Sequence, residues 1–495
     1  MSVSPLTQRF LDALPAFITG SIVFWSVWAV FNAPILLSWI AFFWIWYLVA
    51  RILFALYAHT RGLRFIRQAN AQDWCGLYAD FYATHPHTLH WDDVHHIVLL
   101  PNDHEPIAVL RASLMQLAQS PEAPHMTLIL AMESREADEQ HKAEQLRDEF
   151  ANQFARVQIT LHPEGVLGEI RCKSANIGYA IRQVSEALHG QYHDLTNMVV
   201  TVMDADTLWH PHYFTALTYH FITDEARHST FWQAPIRYHG NINALPHALR
   251  LVNVYASALE LAYLASWWLT LPISSYSVSW KLLHAHDYWD KNVIAEEWRI
   301  FLKTYFGENG AVSVKPIYLP FTATVVHGAT VWDALKNRYH QTVRHALGSK
   351  EIGYTVAGVM SHPHISPYKR LRLLGRVSHD ITAAGAGWSL LLLGGQGVAL
   401  VHGLAIYRGN WALFVGLQTA FIILTMLAVV FWMIDNRVRG EPMIPRGWRD
   451  RINTLIAFLT FPILTFLLLT LPVFHAQIWL LLGVPLVFRV SPKTS

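Results

Sequence analysis

Two aspartates close an apolar run, Val199-Val200-Thr201-Val202-Met203-Asp204-Ala205-Asp206. The run has the β-branched character of a short buried strand, so Asp204 and Asp206 project side by side from its end. In open α/β sheets, ligands bind at the carboxyl ends of strands. A Mg²⁺ or Mn²⁺ ion takes one or two protein carboxylates and completes its shell with water and phosphate oxygens. The pair is suited to holding a nucleoside diphosphate through such an ion; two acids opening a surface loop are the ordinary alternative. Further along, Glu296-Glu297 offers a carboxylate to take a proton from an attacking hydroxyl. Glu297 is the candidate base and Glu296 the fallback, since neighbours on a helix start face different ways. A solvated helix N-terminus would favour the same acids. Lys173 and Arg344 are cations able to pair with a leaving diphosphate. Their plain alternatives are a surface lysine and an arginine among lipid headgroups.

The rest of the chain says where such residues would sit. Of its 495 residues 53% are hydrophobic and only 15% charged, with 20 Trp, which points to a membrane protein. Residues 13–50 carry no charge, and Asn32-Ala33-Pro34 divides them into two spans of about 20 residues, the length a bilayer requires. Residues 381–407 and 411–434 are also uncharged. So is 452–488, long enough for two spans with a tight turn near His475-Ala476-Gln477. Six transmembrane helices are expected, two within 1–60 and four within 381–495. Between them lie a soluble region, 61–350, and an amphipathic interface segment, 351–380, with Lys369, Arg370, Arg372 and Arg376.

Basic loops favour the cytoplasmic side. Arg51, Arg61, Arg64 and Arg67 follow the second span, and Arg437, Arg439, Arg446, Arg449 and Arg451 lie between the fourth and fifth. Arg408 stands alone in the opposite loops. Both termini and the soluble region are therefore expected on the cytoplasmic face of a cell inner membrane or its equivalent. A second span follows the first almost at once, so the first reads as a retained anchor rather than a cleaved signal.

Cys75 and Cys172 show no zinc-type spacing, and a net charge of +2 argues against a nucleic-acid partner. Runs such as His85-Pro86-His87, His95-His96 and His362-Pro363-His364 read as loop and surface histidines. The soluble region alternates types of element. Strands are expected at His96–Pro101, Met126–Met132, Val157–Leu161 and in the run ending at Asp204. Helices are expected at Ala108–Gln119, Glu136–Gln153 and 174–188. That order implies an α/β, largely parallel, doubly wound sheet.

Set along that sheet, the motifs resemble those of family 2 glycosyltransferases. Pro101-Asn102-Asp103-His104-Glu105-Pro106 resembles the family's first-strand P-x-x-x-E-P loop, and Glu133 stands where an acid grips the nucleotide base and ribose. Lys173-Ser174-Ala175-Asn176-Ile177-Gly178 is similar to K-A-G-N-L-N, whose lysine reaches the nucleotide. Asp204-Ala205-Asp206 matches the metal-binding D-x-D, and Gln233-Ala234-Pro235 the Q-x-P after it. Ala295-Glu296-Glu297-Trp298 is similar to the T/A-E-D-W segment that carries the base, and Gln341-Thr342-Val343-Arg344-His345 to Q-x-x-R-W. The likeness covers residues 95–350, and the flanking spans resemble those of cellulose-synthase-like and hyaluronan-synthase-like enzymes. It implies a cytoplasmic GT-A-type domain that inverts the anomeric centre, with Mg²⁺ or Mn²⁺, a nucleotide-sugar donor and a polysaccharide or lipid-linked acceptor at the membrane. It also implies that Asp204 serves nucleotide as well as metal, and that Gln233, Trp298, Gln341, Arg344 and His345 face acceptor and diphosphate.

Two positions depart from the pattern. Glu297 replaces the usual Asp, lengthening the reach of the base by one methylene. His345 replaces a Trp that lines the acceptor site in processive synthases, which favours transfer of a single sugar to a lipid or lipid-linked acceptor. The two-plus-four helix arrangement favours polysaccharide assembly. A nucleotide-regulated membrane transporter is the alternative of another class; the spans, lacking internal acids or arginines, argue against it. Residues 251–280 are uncharged enough to cross a membrane, but one crossing would separate Glu296-Glu297 from Asp204 and Asp206. An interfacial helix over 251–280, with Trp267 and Trp268 at headgroup level, is the expectation.

Overall fold

The computed structural model describes residues 4–136, 138–191, 195–266, 268–438 and 447–484. Trp267, Arg439 and Arg446, named above, lie outside them. The chain opens with α1 (Pro5–Asn32), α2 (Pro34–Asn70) and α3 (Trp74–Thr84). Then come β1 (His95–Pro101), α4 (Ile107–Leu117), β2 (Met126–Glu133), α5 (Glu139–Phe150), β3 (Arg156–His162), α6 (Lys173–Gln191) and β4 (Met198–Val202). They are followed by α7 (Tyr213–Thr223), β5 (Thr230–Gln233), β6 (Ile236–Arg237), α8 (His247–Leu264), β7 (Tyr276–Ser279), α9 (Trp280–Ala285), α10 (Glu296–Gly307), β8 (Ser313–Pro316) and β9 (Phe321–Thr322). After α11 (Val331–Ala346) and α12 (Lys350–Ser361) stand three long helices, Pro367–His402, Trp411–Val438 and Trp448–Leu482. Two compact units result, a helical one within Met1–Thr60, Asn241–Ala262 and Val326–Pro485, and an α/β one within Arg61–Gly240 and Tyr263–Val325.

The α/β unit is built on a seven-stranded sheet in the order β3-β2-β1-β4-β7-β5-β8. β7 runs antiparallel to both its neighbours, and the other pairings are parallel. β1, β2 and β4 are apolar runs buried along nearly their whole length, as parallel strands covered on both faces must be. From β1 the chain steps outward to β2 and β3, then returns to place β4 on the other side of β1. That reversal opens a crevice at the carboxyl ends of β1 and β4, where Asn102 and Asp204 emerge.

The sheet corrects one expectation. Residues 251–280 are not a single interfacial helix: α8 ends at Leu264, and Tyr276–Ser279 is a buried strand between β4 and β5. The Ser277 hydroxyl meets Thr201 at 2.7 Å and Tyr213 at 3.0 Å, so the polar atoms of this uncharged segment are satisfied inside the core. Hydropathy cannot distinguish such a segment from one facing lipid.

In the helical unit, α1 and Pro367–His402 run side by side in the same sense. Gly385 lies against Thr19, and His402 bonds the Val30 carbonyl at 2.8 Å. α2 and Trp411–Val438 run the other way, with Gly416 against Phe42 and the Phe431 ring 5.6 Å from His59. A Cβ on Gly394 would sit 2.6 Å from that of Ala41, so only glycine permits this approach of two helices.

Among the described residues, five helices are long and apolar enough to cross a membrane, three of them after the α/β region where four were expected. His475–Gln477 lies inside the helical stretch Leu471–Leu482, with no turn there. Moreover, Trp448–Leu482 starts and finishes toward one end of the bundle. Asp450 pairs with His247 at 3.2 Å and Phe458 packs on Trp432 near the close of the preceding helix. At its other end the Leu480 carbonyl accepts from Arg9 at 2.6 Å, beside the start of α1. Four helices thus connect the two ends of the bundle, and the fifth returns to the end it left. In a chain freed of Cys75 and Cys172, single cysteines at Ser4 and Val484 should react with an impermeant maleimide from one membrane face, and one at Arg408 from the other. Opposite labelling of positions 4 and 484 would mean that the last helix crosses.

Candidate active site

Asp204 and Asp206 leave the end of β4 in different surroundings. Asp204 is half-buried; its Oδ1 accepts from Lys173 Nζ at 2.8 Å and its Oδ2 from the Ser274 hydroxyl at 2.6 Å. Asp206 is buried, its Oδ2 held by the backbone N–H of Thr324 at 3.0 Å and by the Thr324 hydroxyl. Ser274 has φ of 56°, the left-handed region that a residue with a Cβ adopts only under constraint. The constraint is the bonding of the loop before β7, where Ser274 O accepts from Lys173 Nζ at 2.8 Å and Ser275 Oγ from Asp204 N at 3.1 Å.

Lys173, at the first turn of α6, also reaches Glu296 Oε1 at 2.9 Å. Burial disfavours its charge, but Asp204, Glu296 and Glu297 outweigh that and raise its pKa above the ordinary lysine value. Glu296 is 1% exposed. Its Oε2 accepts from the Tyr276 hydroxyl at 2.6 Å, and that oxygen accepts from Trp289 Nε1 at 2.8 Å. Burial and the Glu296 charge keep the phenol protonated. Glu296 is therefore committed to a buried relay, while half-buried Glu297 follows it on α10 with Trp298 next. Burial first, then the charge of Glu296, raises the Glu297 pKa above the usual carboxylate range, with Lys173 opposing. A carboxylate raised toward neutrality suits general-base work.

A second polar cluster gathers at the ends of β1, β2 and β3. Buried Glu133 meets His162 at 3.1 Å and Arg135 at 3.2 Å, and the other His162 nitrogen meets Glu169 at 2.8 Å. Asp103 pairs with Arg171 at 2.8 Å and Arg135 at 3.1 Å. Asp103, His104 and Glu136 present ligand atoms within 4.8 Å of one another, but the two arginines already balance the Asp103 charge. Other expected site residues serve the fold. Asn102 donates to Glu139 at 2.6 Å, and Glu105 caps Asp103 N at 2.8 Å. Gln233 clamps the loop before β7, donating to Ser275 O at 3.0 Å and accepting from Ile273 N at 2.8 Å. Pro101 closes β1.

Gln341, Arg344 and His345 lie on α11 in the helical unit, where Gln341 accepts from Arg338 at 2.9 Å. His96 is a core residue, bonded to Thr218 at 2.8 Å and lowered to about 3 by burial. Motif reading missed Tyr276, Trp289, Ser274, Thr324, Arg135, His162 and Arg171. His162 ends a strand as Asp204 nearly does, which is a readable signal; Tyr276 had none once its segment was taken for a helix.

For a divalent ion, the donor chemistry fits. Asp204 and Asp206 are hard oxygen ligands on one turn, and a cationic nitrogen, Lys173, already rests on Asp204.

No protein-family profile and no curated protein matches the chain. Among solved structures, it is similar to mannosyltransferase PcManGT from Pyrobaculum calidifontis in complex with GDP-Man and Mn²⁺. That likeness has 12% identity and a TM-score of 0.41, over 90% of this chain and 97% of that one. It is also similar to glucosyl-3-phosphoglycerate synthase from Mycobacterium tuberculosis in complex with Mn²⁺, UDP and phosphoglyceric acid. There the identity is 15% and the TM-score 0.31, over 52% of this chain and 78% of that one. These are distant likenesses.

The buried relay predicts a stability effect. Tyr276→Phe leaves Glu296 and the Trp289 N–H each short of a partner and should destabilise by about 1–3 kcal/mol. Thermal unfolding of the purified protein measures it, and an unchanged midpoint would remove the relay from the account.

Proposed function

We propose that the protein is a membrane-integrated, family 2-like glycosyltransferase that moves a sugar from a nucleotide-sugar donor to an acceptor hydroxyl with inversion. One observation carries the reading: Lys173 bridges Asp204 at 2.8 Å and Glu296 at 2.9 Å, so the D-x-D and the Glu-Glu pair share one charged site. A site that breaks a sugar–diphosphate bond needs counter-charge for the leaving phosphate and a carboxylate for the attacking hydroxyl. Both are present in one α/β unit.

In this reading Asp204 and Asp206 would hold Mg²⁺ or Mn²⁺, which would supply charge stabilisation to a departing diphosphate. Lys173 adds a second positive charge from the start of α6. Glu297 takes the proton as the acceptor oxygen bonds to the anomeric carbon and the bond to the diphosphate breaks. Glu296 pairs with Lys173 and Tyr276 and holds the first turn of α10 in place. The cluster of Asp103, Glu133, Arg135, His162 and Arg171 surrounds the strand ends where a nucleotide base and ribose would lie. The distribution of basic residues among the loops supports a cytoplasmic α/β unit, and the path of Trp448–Leu482 supports termini on one side. The acceptor is a polysaccharide or a lipid-linked sugar, and His345 in place of a tryptophan favours short products.

Glu297→Gln should keep donor binding and lose about 10²–10⁴ in turnover, the range for a removed general base. Asp206→Ala should lose both turnover and Mn²⁺ binding, read by Mn²⁺ electron paramagnetic resonance. Retained turnover in Glu297→Gln with loss in Glu296→Gln would move the base by one position; retained Mn²⁺ binding in Asp206→Ala would end the metal assignment.

The pH dependence has a defined sign. A protonated carboxyl cannot accept a proton, so activity should fall as pH drops through the raised Glu297 value, above where a solvated glutamate would set the limb. Lys173→Met removes the group that lowers that value and should move the limb to higher pH. A limb at the ordinary glutamate position in both proteins would exclude Glu297 as the base.

A further inference from the structure

His162 takes no part in the proton or metal chemistry proposed above, yet carboxylates engage both of its ring nitrogens. It closes β3 opposite Glu133, the last residue of β2, so the parallel register sets the two side by side. Its Nδ1 lies 3.1 Å from Glu133 Oε2 and its Nε2 2.8 Å from Glu169 Oε2. A neutral imidazole has one N–H and one lone pair, and here the lone pair would face a carboxylate oxygen with no proton between them. The ring therefore carries both protons, because imidazole is more basic than a carboxylate. Burial opposes that charge, but the hydrogen bonds and charges of Glu133 and Glu169 outweigh it and raise the ring's pKa above the ordinary histidine value. Around this group stand the Tyr179 ring of α6, edge to face at 5.2 Å, Arg135 on Glu133 at 3.2 Å and Lys291 on Glu169 at 3.2 Å.

The two bonds join separate parts of the α/β unit. Among the described residues, Glu133 receives His162 and Arg135 on Oε2, which leaves Oε1 to accept from a ligand. Glu169 belongs to the segment between β3 and α6, which leads directly into Lys173. That segment turns outward: Gly165 and Gly168 have φ of 76° and 80°, and Leu167 between them is 95% exposed. Its inward anchors are Glu169 on His162 and Lys291, Ile170 N on the Lys291 carbonyl at 3.2 Å, and Arg171 on Asp103 at 2.8 Å. We propose, on the strength of the transferase reading that puts the nucleoside beside Glu133, that His162 is a positioning residue for donor binding. Its doubly protonated ring holds Glu133 and the segment 163–172 in the arrangement that receives the nucleoside. Once the ring loses a proton, a lone pair opposes a carboxylate, and either Glu133 or the segment gives way. Donor affinity is therefore highest where the imidazolium persists and falls as pH rises through the ring's raised value.

Calorimetric titration of the full chain in lipid nanodiscs with UDP-glucose and with GDP-mannose, each with Mn²⁺, tests it. Both probes are diphosphate diesters, so their phosphate charge is constant from about pH 6 to about pH 8.5, where a histidine held by carboxylates titrates. Over that range the tighter-binding probe should lose about tenfold in affinity, the effect of one charge-assisted hydrogen bond. His162→Gln, neutral throughout, should bind about tenfold more weakly at the low end and show no further fall. Glu169→Gln should match the unaltered chain at low pH and lose the fall, because its amide N–H donates to the neutral ring while its oxygen accepts from Lys291. A histidine that serves only the fold would leave the pH profile of Glu169→Gln unchanged. That unchanged profile, a pH-independent affinity in the unaltered chain, or full affinity in His162→Gln would each overturn the role. Should His162→Gln fail to fold, the Glu169→Gln profile decides alone. Failure of both probes to bind at any pH would overturn the transferase reading itself, whereas pH-independent binding removes only the role of His162.

Discussion

The ammonium of Lys173 lies 2.8 Å from Asp204, 2.8 Å from Ser274 O and 2.9 Å from Glu296. Three acids, Asp204, Glu296 and Glu297, would otherwise face one another in a largely water-excluded place, where like charges suppress ionisation. A buried cation at their centre offsets that repulsion. It also joins α6, the end of β4, the loop before β7 and the start of α10, which are far apart in the chain. Removing one member of such a group leaves uncompensated buried charge, which costs far more than the intact group contributes to stability.

That joining explains the sheet. β7 must lie beside β4 for Ser274 and Ser275 to reach Asp204, and Tyr276 at its start must point at Glu296. Antiparallel insertion brings the beginning of β7, rather than its end, to the crevice where the parallel strands finish. The left-handed Ser274 and the clamp from Gln233 shape the turn into that strand. The two glutamates then divide their duties by burial. Glu296 is engaged by the Tyr276 hydroxyl and the Lys173 ammonium, and its neighbour is left with a carboxyl whose raised pKa can serve proton transfer.

The helical unit follows a different economy of charge. Its helices pack through glycines and small residues, as at Gly394 against Ala41, because apolar contacts alone give little preference in hydrocarbon. Against that background the Arg51–Asp380–Arg376 group stands out. It lies beyond the strictly uncharged stretches of sequence, and only the longer observed helices bring it into the bundle.

Much of this was legible from residue order. The buried strands at His95–Pro101, Met126–Glu133 and Met198–Val202 announce themselves as unbroken apolar runs, and the acids Asp204 and Asp206 stand just past the close of the last. Uncharged stretches of bilayer length likewise identify α1, α2 and the later long helices. Residue order did not disclose that Tyr276–Ser279 is a central strand, that Trp448–Leu482 returns to the end it left, or that Glu296 is a buried partner of Tyr276. Strand pairing, helix direction and carboxylate roles depend on contacts between residues distant in sequence. A hydropathy pattern records how much each residue avoids water; the tertiary structure decides which neighbours it meets once water is gone.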